Sequence, residues 1–581
     1  MSIRREFEKL LPFVERPARY IGGEINSVRR PEAGFRLLLS YPDLYEVGMS
    51  HHGLGIIYDI VNRIPGCAAE RAYAPAGDLE AALRRSGLPL CSLETFTPAG
   101  EFDIWGFSVQ VELTYTNILT MLDLAGLPLR ARDRSWPRHP LILGGGAGAF
   151  NPEPLAEFFD LFLVGDGEEA VGEIISVCRG WKDRRGEAGV DKPQLLSELA
   201  AAVDGLYAPA LYREEKDSQG RPAGLTPVSA GVPRRVEKQV LQDLDLSRVE
   251  RPLVPVTEIV HDRGVVEIMR GCRRGCRFCQ AGWTGRPVRE KSPAAAGEQA
   301  RFLAEDCGYE EVSLLSLSSG DYRGIEGLLG TLSPVLARRS AHLALPSLNV
   351  ATVSPAMLEE LARMKKSGIT LAPEAGSLRL QRAIGKDLDP DRLWEIGQRL
   401  RRLGWRLLKL YFMIGLPTET DRDVSELAGL INRMAGWGGK LNVTISNFVP
   451  RPGTPFQWEG MADPGVITAR KTIIRQEVNS RKVQLKFRPV ELSRLEGAIA
   501  RGDRRLGGVI RKAWELGCRF DGWSESFQPE KWEAAFAAQG VAIDDYLRPA
   551  GGFSDPLPWD HIGTGVPREV LVREARKARA G

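Results

Sequence analysis

Three thiols stand within eight residues at Cys272, Cys276 and Cys279, spaced C-x3-C-x2-C in Arg270-Gly271-Cys272-Arg273-Arg274-Gly275-Cys276-Arg277-Phe278-Cys279. Soft thiolates this close together select zinc or iron–sulfur. A structural zinc site is normally closed by four ligands. Here the next cysteine is Cys307 and the next histidine His342. Three ligands on a four-iron cluster leave one iron open, and an open iron can bind a substrate or cofactor directly. The spacing therefore points to chemistry. The bland alternative, a scatter of core thiols, fits the isolated Cys67, Cys91, Cys178, Cys307 and Cys518 better than it fits this trio.

The segment resembles the signature of the radical S-adenosylmethionine (radical SAM) superfamily, C-x3-C-x-aromatic-C, with Phe278 as the aromatic. The resemblance implies that Cys272, Cys276 and Cys279 hold a [4Fe-4S] cluster. It implies that the open iron binds the amino and carboxylate groups of S-adenosylmethionine, which one-electron reduction splits to a 5′-deoxyadenosyl radical. That chemistry is the cofactor's, and the protein supplies position and shelter. A reducing partner such as flavodoxin or ferredoxin is expected on the same ground.

The chain that must position this loop has 581 residues, enough for about three domains. Seventy-eight Lys and Arg against 75 Asp and Glu leave a net charge of +3. That is too small to indicate a nucleic-acid partner, though it does not exclude one. Met1 to Arg19 has no apolar signal core, and no apolar run approaches a membrane span. Reduced thiols and an oxygen-sensitive cluster fit the cytoplasm. The absence of a second three-cysteine set argues against a methylthiotransferase pattern. No repeat or low-complexity tract stands out beyond the loop Lys182 to Lys192.

An α/β fold is expected, in five parts: an N-terminal extension (1–34), a doubly wound domain (35–200), a Pro- and Gly-rich connector (201–256), a partial barrel (257–458) and a mainly helical C-terminal region (459–581). In the doubly wound part, strands are expected at Arg36–Ser40, Asp103–Ser108, Leu141–Leu143 and Leu161–Val164. Helices are expected at Leu54–Arg63, Leu79–Arg85, Thr114–Leu124 and after Glu169. Ligands of such folds bind at the carboxyl ends of the strands. Those ends carry small residues at Ser108, Gly144, Gly145, Gly165 and Gly167.

This pattern resembles the flavodoxin-like cobalamin-binding domain that precedes many radical SAM domains. The resemblance implies cobalamin as a further cofactor, with those residues near its nucleotide tail. The Asp-x-His-x-x-Gly motif of base-off cobalamin enzymes departs here, since Ser50 stands in the aspartate's place in Ser50-His51-His52-Gly53-Leu54-Gly55. His52 is a candidate cobalt ligand. It also reads as a loop histidine that caps or packs at the helix start. A lower cobalt face without a protein ligand, or a domain without cobalamin, stays open.

After the cysteine loop, strands are expected at Val265–Met269, Val312–Ser316, Leu343–Asn349, Ile369–Glu374, Leu407–Ile414 and Leu441–Phe448. Helices are expected between them at Ala294–Glu305, Ile325–Ala337, Pro355–Lys365, Pro390–Leu403 and Asp423–Met434. Six βα units suggest a (β/α)6 partial barrel with its site at the carboxyl strand ends. Alternation puts Ser316 and Ser318, Ser347 and Asn349, Thr370 and Glu374, Lys409 and Tyr411, and Asn442, Thr444 and Ser446 on one face. That polar face should be the lumen. Lys409 and Tyr411 are candidate substrate contacts, and Lys409 fits a structural ion pair equally well.

Three strand ends resemble further radical SAM motifs. The resemblance places Gly320 and Asp321 by the cofactor's amino group, Glu374 and Ser377 with Arg379 by its ribose and carboxylate, and Gly415 and Pro417 near its adenine. Beyond Val490 the strings around Arg501–Arg505 and Leu557–His561 read as solvated helix faces or a substrate-facing surface. The family resembled leaves three functions open. One is cobalamin-dependent methylation of an unactivated carbon. The others are a non-methylating rearrangement, cyclisation or redox step, and a cluster-bearing scaffold. The substrate is not legible.

Overall fold

The computed structural model describes residues 3–580 apart from 186–190, 217, 219–221, 364–367 and 387. The expected loop Lys182–Lys192 thus falls partly outside the described residues, as does the expected helix end at Lys365. Six strands form the first sheet: β1 (Phe35–Tyr41), β2 (Cys67–Tyr73), β3 (Ile104–Ser108), β4 (Leu141–Gly145), β5 (Leu161–Leu163) and β6 (Leu206–Tyr207). Their order is β2-β1-β3-β4-β5-β6, parallel except for β6. The strands read as near-continuous apolar runs because both faces are covered. Helices α1 (His52–Arg63), α2 (Gly77–Ser86), α3 (Tyr115–Leu124), α4 (Ala170–Arg185) and α5 (Lys192–Ala202) follow the sheet's strands. The strand order reverses between β1 and β3, where folds of this order bind their ligands.

Strand β2 was not expected, because Glu70-Arg71 interrupts its apolar run. Both side chains are fully buried and paired with distant partners. Arg71 donates to Glu94 at 2.6 Å and Glu24 at 2.9 Å, while Glu70 accepts from Arg36, Ser92 and Thr95.

The second region holds β7 (Gly264–Glu267), β8 (Glu311–Leu315), β9 (His342–Ala344), β10 (Ile369–Glu374), β11 (Leu407–Ile414), β12 (Lys440–Asn447) and β13 (Val483–Phe487). They form parallel sheets β7-β8-β9 and β10-β11-β12-β13, joined by a bridge from Leu348 to Leu371. The intervening helices are α6 (Gln280–Thr284), α7 (Pro293–Glu305), α8 (Ile325–Arg338), α9 (Pro355–Ala362), α10 (Leu378–Ile384), α11 (Pro390–Arg402) and α12 (Asp421–Ala435), with α13 (Pro464–Glu477) before β13. Leu408, Leu410, Phe412, Leu441, Val443 and Ile445 are buried in the outer core, while the alternate residues are half-buried or exposed. The polar lumen therefore holds for β10, β11 and β12.

Three details differ from expectation. Strand β9 stops at Ala344, two residues before Pro346, which cannot donate to a ladder. Ser316 and Ser318 lie past the end of β8 in a buried turn, bonded to Ser319 and Asp321, and of the two Ser316 also borders a large cavity against β8. The parallel array also gains β13, beyond residue 458 where the barrel was expected to end.

Helices α14 (Val490–Ala500), α15 (Arg505–Glu515), α16 (Pro529–Ala538) and α17 (Arg568–Ala580) complete the chain. They dock rather than standing free. Trp514 donates to Thr120, Trp523 to Asp43, and Thr116 to Asp521. The string Arg501–Arg505 is a joint instead of a solvated face. Arg501 is buried and donates to four carbonyls, those of Gln457, Glu459, Tyr546 and Arg548.

Arg504 donates to Glu153 at 2.6 Å, and His561 Nε2 lies 3.2 Å from the same carboxylate. Burial alone would push the Glu153 carboxyl up, but His561 and Arg504 overcome it and bring it down to about 2. The folded value is depressed, so this contribution is complete above the unfolded value near 4.5 and is lost as pH falls from there through about 2. Denaturant titrations from pH 6 to pH 3 should show a loss that Glu153→Gln flattens, on the order of 3 kcal/mol at most. An unchanged acid slope in that variant would refute the assignment.

Candidate functional site

The cysteine loop hangs from Met269–Arg270, which pairs antiparallel with Arg289–Glu290 and so pinches the loop's two ends together. At the pinch Gly271 adopts φ 86°, and a Cβ there would sit 2.5 Å from the Gly285 carbonyl oxygen. Only glycine allows that approach.

The loop is anchored on both sides. Arg277 N–H donates to Ile384 O at 2.8 Å, and its guanidinium donates to the carbonyls of Arg382 and Ala383 at the end of α10. The same guanidinium reaches Glu574 of α17 at 3.1 Å. Trp283 Nε1 donates to Cys276 O at 2.9 Å. Phe278 packs against the apolar group around Leu380, Ile384, Leu416 and Phe448. Thus a helix at the far end of the chain steadies the thiol loop.

Cys272 is buried, while Cys276 and Cys279 are half-buried. Burial pushes all three thiols up, Cys276 to about 12. The charges felt by Cys276 and Cys279 include Lys386 and Glu374, themselves paired at 3.3 Å. Among the described residues no three His, Cys, Asp or Glu groups are arranged to hold a single metal ion. A zinc ion would need its sulfurs about 2.3 Å from one point. A four-iron cluster takes each thiolate on a different iron, so thiols spaced around a loop suit it without converging. The donor set fits a cluster better than a lone ion.

The other candidates near this loop are mostly engaged already. Asp321 makes two hydrogen bonds with Arg274, at 2.9 and 2.5 Å, and Gly320 lies where a Cβ would strike Thr352. Glu374 ends β10 at φ 71°, outside the usual range for a side-chain-bearing residue. Ser377 caps α10 and donates to Asp423, which also pairs with Arg379. Gly415 donates its N–H to Glu419 at 2.6 Å, and Pro417 lies in the same tight turn before α12.

A second feature lies beside the loop. A cavity of about 790 Å³ opens between the carboxyl ends of β1, β3, β4 and β5 and the strands β7 and β8. His52, Ser108, Gly144, Gly145, Gly165 and Gly167 all line it, and so do Arg270 and Gly271 at the root of the cysteine loop. The structure thus brings the N-terminal candidates together at the β1/β3 reversal. Phe278, Gly320, Asp321, Glu374, Ser377, Gly415, Pro417 and the three thiols do not border this cavity.

The glycines differ in purpose. At Gly145 an added Cβ would meet nothing closer than 3.9 Å, so this backbone is open. Gly165 has φ 102° and pairs with Gln239, whose carbonyl oxygen would lie 2.1 Å from a Cβ, so it is there for the connector. The helix-capping role falls to His51, whose Nδ1 accepts from Leu54 N–H at 3.1 Å and which burial pushes down to about 4. Burial also lowers His52, on which the charges of Glu267, Arg270, Lys291 and Glu168 act, and its ring has no hydrogen bond among the described residues. Ser50 bonds to Glu46 O and His261 N–H, so it does not orient His52.

Sequence reasoning missed the residues that join the two halves. Arg270 bonds Glu267 at 2.6 Å, Glu168 at 2.8 Å and Asp166 at 2.9 Å. Asp166 also pairs with Arg289 and accepts from Leu241 N–H, and the Leu241–Leu246 run ties in further through Leu241 O to Arg289, Leu244 O to Lys291 and Asp245 to Ser292 N–H. Lys238 donates to the carbonyls of Thr284 and Arg286. Of these, only Arg270 had a visible signal, its place just before the motif.

No described helix is long and apolar enough to cross a membrane. Residues 53–209 match the family model of radical SAM proteins, N-terminal, and residues 266–431 match that of the radical SAM superfamily. The uncharacterised protein MJ0966 of Methanocaldococcus jannaschii is 27% identical over 427 residues, 72% of this chain and 82% of that one. The threonylcarbamoyladenosine tRNA methylthiotransferase MtaB of Treponema pallidum is 23% identical over 334 residues, 55% of this chain and 68% of its own length. Among solved structures, the radical SAM methyltransferase TsrM from Kitasatospora setae, with cobalamin and a [4Fe-4S] cluster bound, superposes with a TM-score of 0.54. It covers 87% of this chain and 99% of its own at 14% identity, a likeness of fold. The thiol loop, the half-barrel that carries it and the two matched regions on either side of the cavity agree, and the chain belongs to the radical SAM superfamily of enzymes.

Proposed function

We propose that the chain is a cobalamin-dependent radical SAM methyltransferase. Residues 257–458 would carry a [4Fe-4S] cluster on Cys272, Cys276 and Cys279, and residues 35–200 would carry cobalamin. The groups so held supply one-electron cleavage of S-adenosylmethionine and carriage of a methyl. The chain's own residues do the rest. Lys386 and Glu374 present opposite charges beside the thiols, suited to the carboxylate and amino group of an amino acid. The cavity would keep a second cofactor next to the root of the cysteine loop, which Arg270 and Gly271 border, so that groups held at the two places would act by proximity. Its volume is that of a cofactor site. Gly145 leaves room for a bulky group at the strand ends, and His52, which lines the same cavity, would be the side chain available to ligate a metal held there.

The observation that carries this reading is the cavity itself, which joins the β1/β3 reversal to the flank of the thiol loop. The likeness of fold to TsrM supports it. Protein reconstituted anaerobically with iron, sulfide and hydroxocobalamin should retain one corrinoid per chain after gel filtration. With dithionite or reduced flavodoxin it should form 5′-deoxyadenosine from S-adenosylmethionine. Failure to retain a corrinoid ends the methyltransferase reading. A product without an added methyl assigns instead a rearrangement or redox step.

A further inference from the structure

The lumen of the half-barrel has an asymmetry of charge that the cluster and the cavity leave unexplained. Along β11, β12 and β13 the inward face carries Lys409, Lys440 and Lys486, with Tyr411, Asn442 and Thr444 among them. Register places Lys409 beside Asn442, and Tyr411, Thr444 and Lys486 in one row. No carboxylate stands on that face of these three strands. The luminal carboxylate of the neighbouring strand, Glu374, is already paired with Lys386.

Buried arginines of the fold are paired, as at Arg71, Arg134 and Arg270. Lys409, Lys440 and Lys486 have no ion pair or side-chain hydrogen bond among the described residues, and Tyr411 is 41% exposed with its hydroxyl unengaged. Lys409 is half-buried, while Lys440 and Lys486 are exposed, and like charges on one face of neighbouring strands repel one another. Such a cost is retained where a ligand repays it. The register steps Lys440, Lys409 and Lys486 two residues apart along strands about 4.8 Å from one another, so the three form a staggered set that suits an extended group with two anionic ends.

We infer that the luminal face of β11–β13 binds a small anionic substrate, one bearing phosphate or clustered carboxylate groups, gripped by Lys409, Lys440 and Lys486. Tyr411, Asn442 and Thr444 supply hydrogen bonds beside them. The part of the substrate away from the anion then points up the lumen toward the thiol loop. That last step rests on the radical SAM reading, whereas the lysine site does not. A nucleic acid is the weaker fit. Three lysines inside a half-barrel serve few phosphates, and a duplex-binding protein neutralises roughly 6–10.

Calorimetric titration of the full reconstituted chain at low ionic strength, with pyrophosphate and with tricarballylate, tests the site. At least one should bind with a dissociation constant below about 1 mM, and Lys409→Ala/Lys486→Ala should weaken it at least tenfold, roughly 1.4 kcal/mol. Lys409→Arg/Lys486→Arg should retain binding, and Lys512→Ala, on an exposed turn of α15, should leave it unchanged. Binding of neither anion overturns the inference, as does binding that survives alanine at all three lysines. So does a short RNA that binds more tightly than either anion and is lost with the same substitutions. The 5′-deoxyadenosine assay on the same preparation reports separately. A chain that makes none yet grips pyrophosphate refutes the cluster reading and leaves the lysine site standing.

Discussion

Anaerobically reconstituted Cys276→Ala protein is expected to lose its iron and to make no 5′-deoxyadenosine above background, while melting within about 1 kcal/mol of the parent. The two halves of that expectation have different causes. Chemistry fails because two thiols cannot replace three on a cluster. Losing an outer-shell partner of a metal ligand typically costs 10–100-fold, so losing a ligand should exceed about 1,000-fold. The fold survives because the loop's ties are made by other atoms. Trp283 bonds the main-chain carbonyl of Cys276, and Arg277 bonds the end of α10. Neither depends on the thiol. Burial pushes this thiol up to about 12 against the pull of Lys386, so the uncharged thiol adds no ionic tie to the fold. Cys307→Ala is the matched control, a half-buried thiol away from the loop, and should leave iron content and 5′-deoxyadenosine yield unchanged. If Cys276→Ala keeps its iron, or Cys307→Ala loses it, the thiol loop is not the cluster site.

How much of this was legible in the sequence depends on how local the cause was. The thiol spacing is a local signal and stands at a loop pinched by its own ends. Strands β10 and β11 fall at the expected residues, because alternation and length specify a strand buried on one face and wet on the other. What escaped reading was paired at long range. Strand β2 hides behind Glu70-Arg71, which looks solvent-bound until Arg36, Glu24 and Glu94 are brought to it. Arg501, Arg504 and His561 looked like a solvated face and are joints, Arg501 and His561 buried and Arg504 half-buried, since nothing near them names Glu153 or the carbonyls they meet. The loop Gly165–Glu168 looked like a ligand cradle from its glycines. Its backbone does line the cavity, but its two acids are spent on Arg270 and Arg289.

That last pairing sets the second large effect. Arg270→Met is expected to destabilise the protein by about 3–5 kcal/mol in urea denaturation, the range for stripping the cation from a buried ionic group. The side chain is 17% exposed and the carboxylates of Glu267, Glu168 and Asp166 are 14, 8 and 15% exposed, so water screens little of their mutual repulsion. Asp166 keeps Arg289 and the Leu241 N–H, while Glu168 keeps only the Ser247 hydroxyl. The loss should therefore shrink as pH falls toward 5, where protonation relieves the unpaired carboxylates. It should also be partly recovered by adding Glu168→Gln. Arg270→Lys should recover less than charge alone suggests, because an ammonium cannot reproduce the planar fork that reaches three carboxylates at once. A loss below about 1 kcal/mol would make these contacts a surface affair. Arg270 is also the residue before Gly271, so the guanidinium that holds the Gly165–Glu168 loop is covalently next to the pinch that shapes the thiol loop. Corrinoid retention should therefore fall in Arg270→Met together with the yield of 5′-deoxyadenosine. Cys276→Ala should lose only the second, and the contrast between the two variants separates a hinge shared by both sites from a ligand belonging to one.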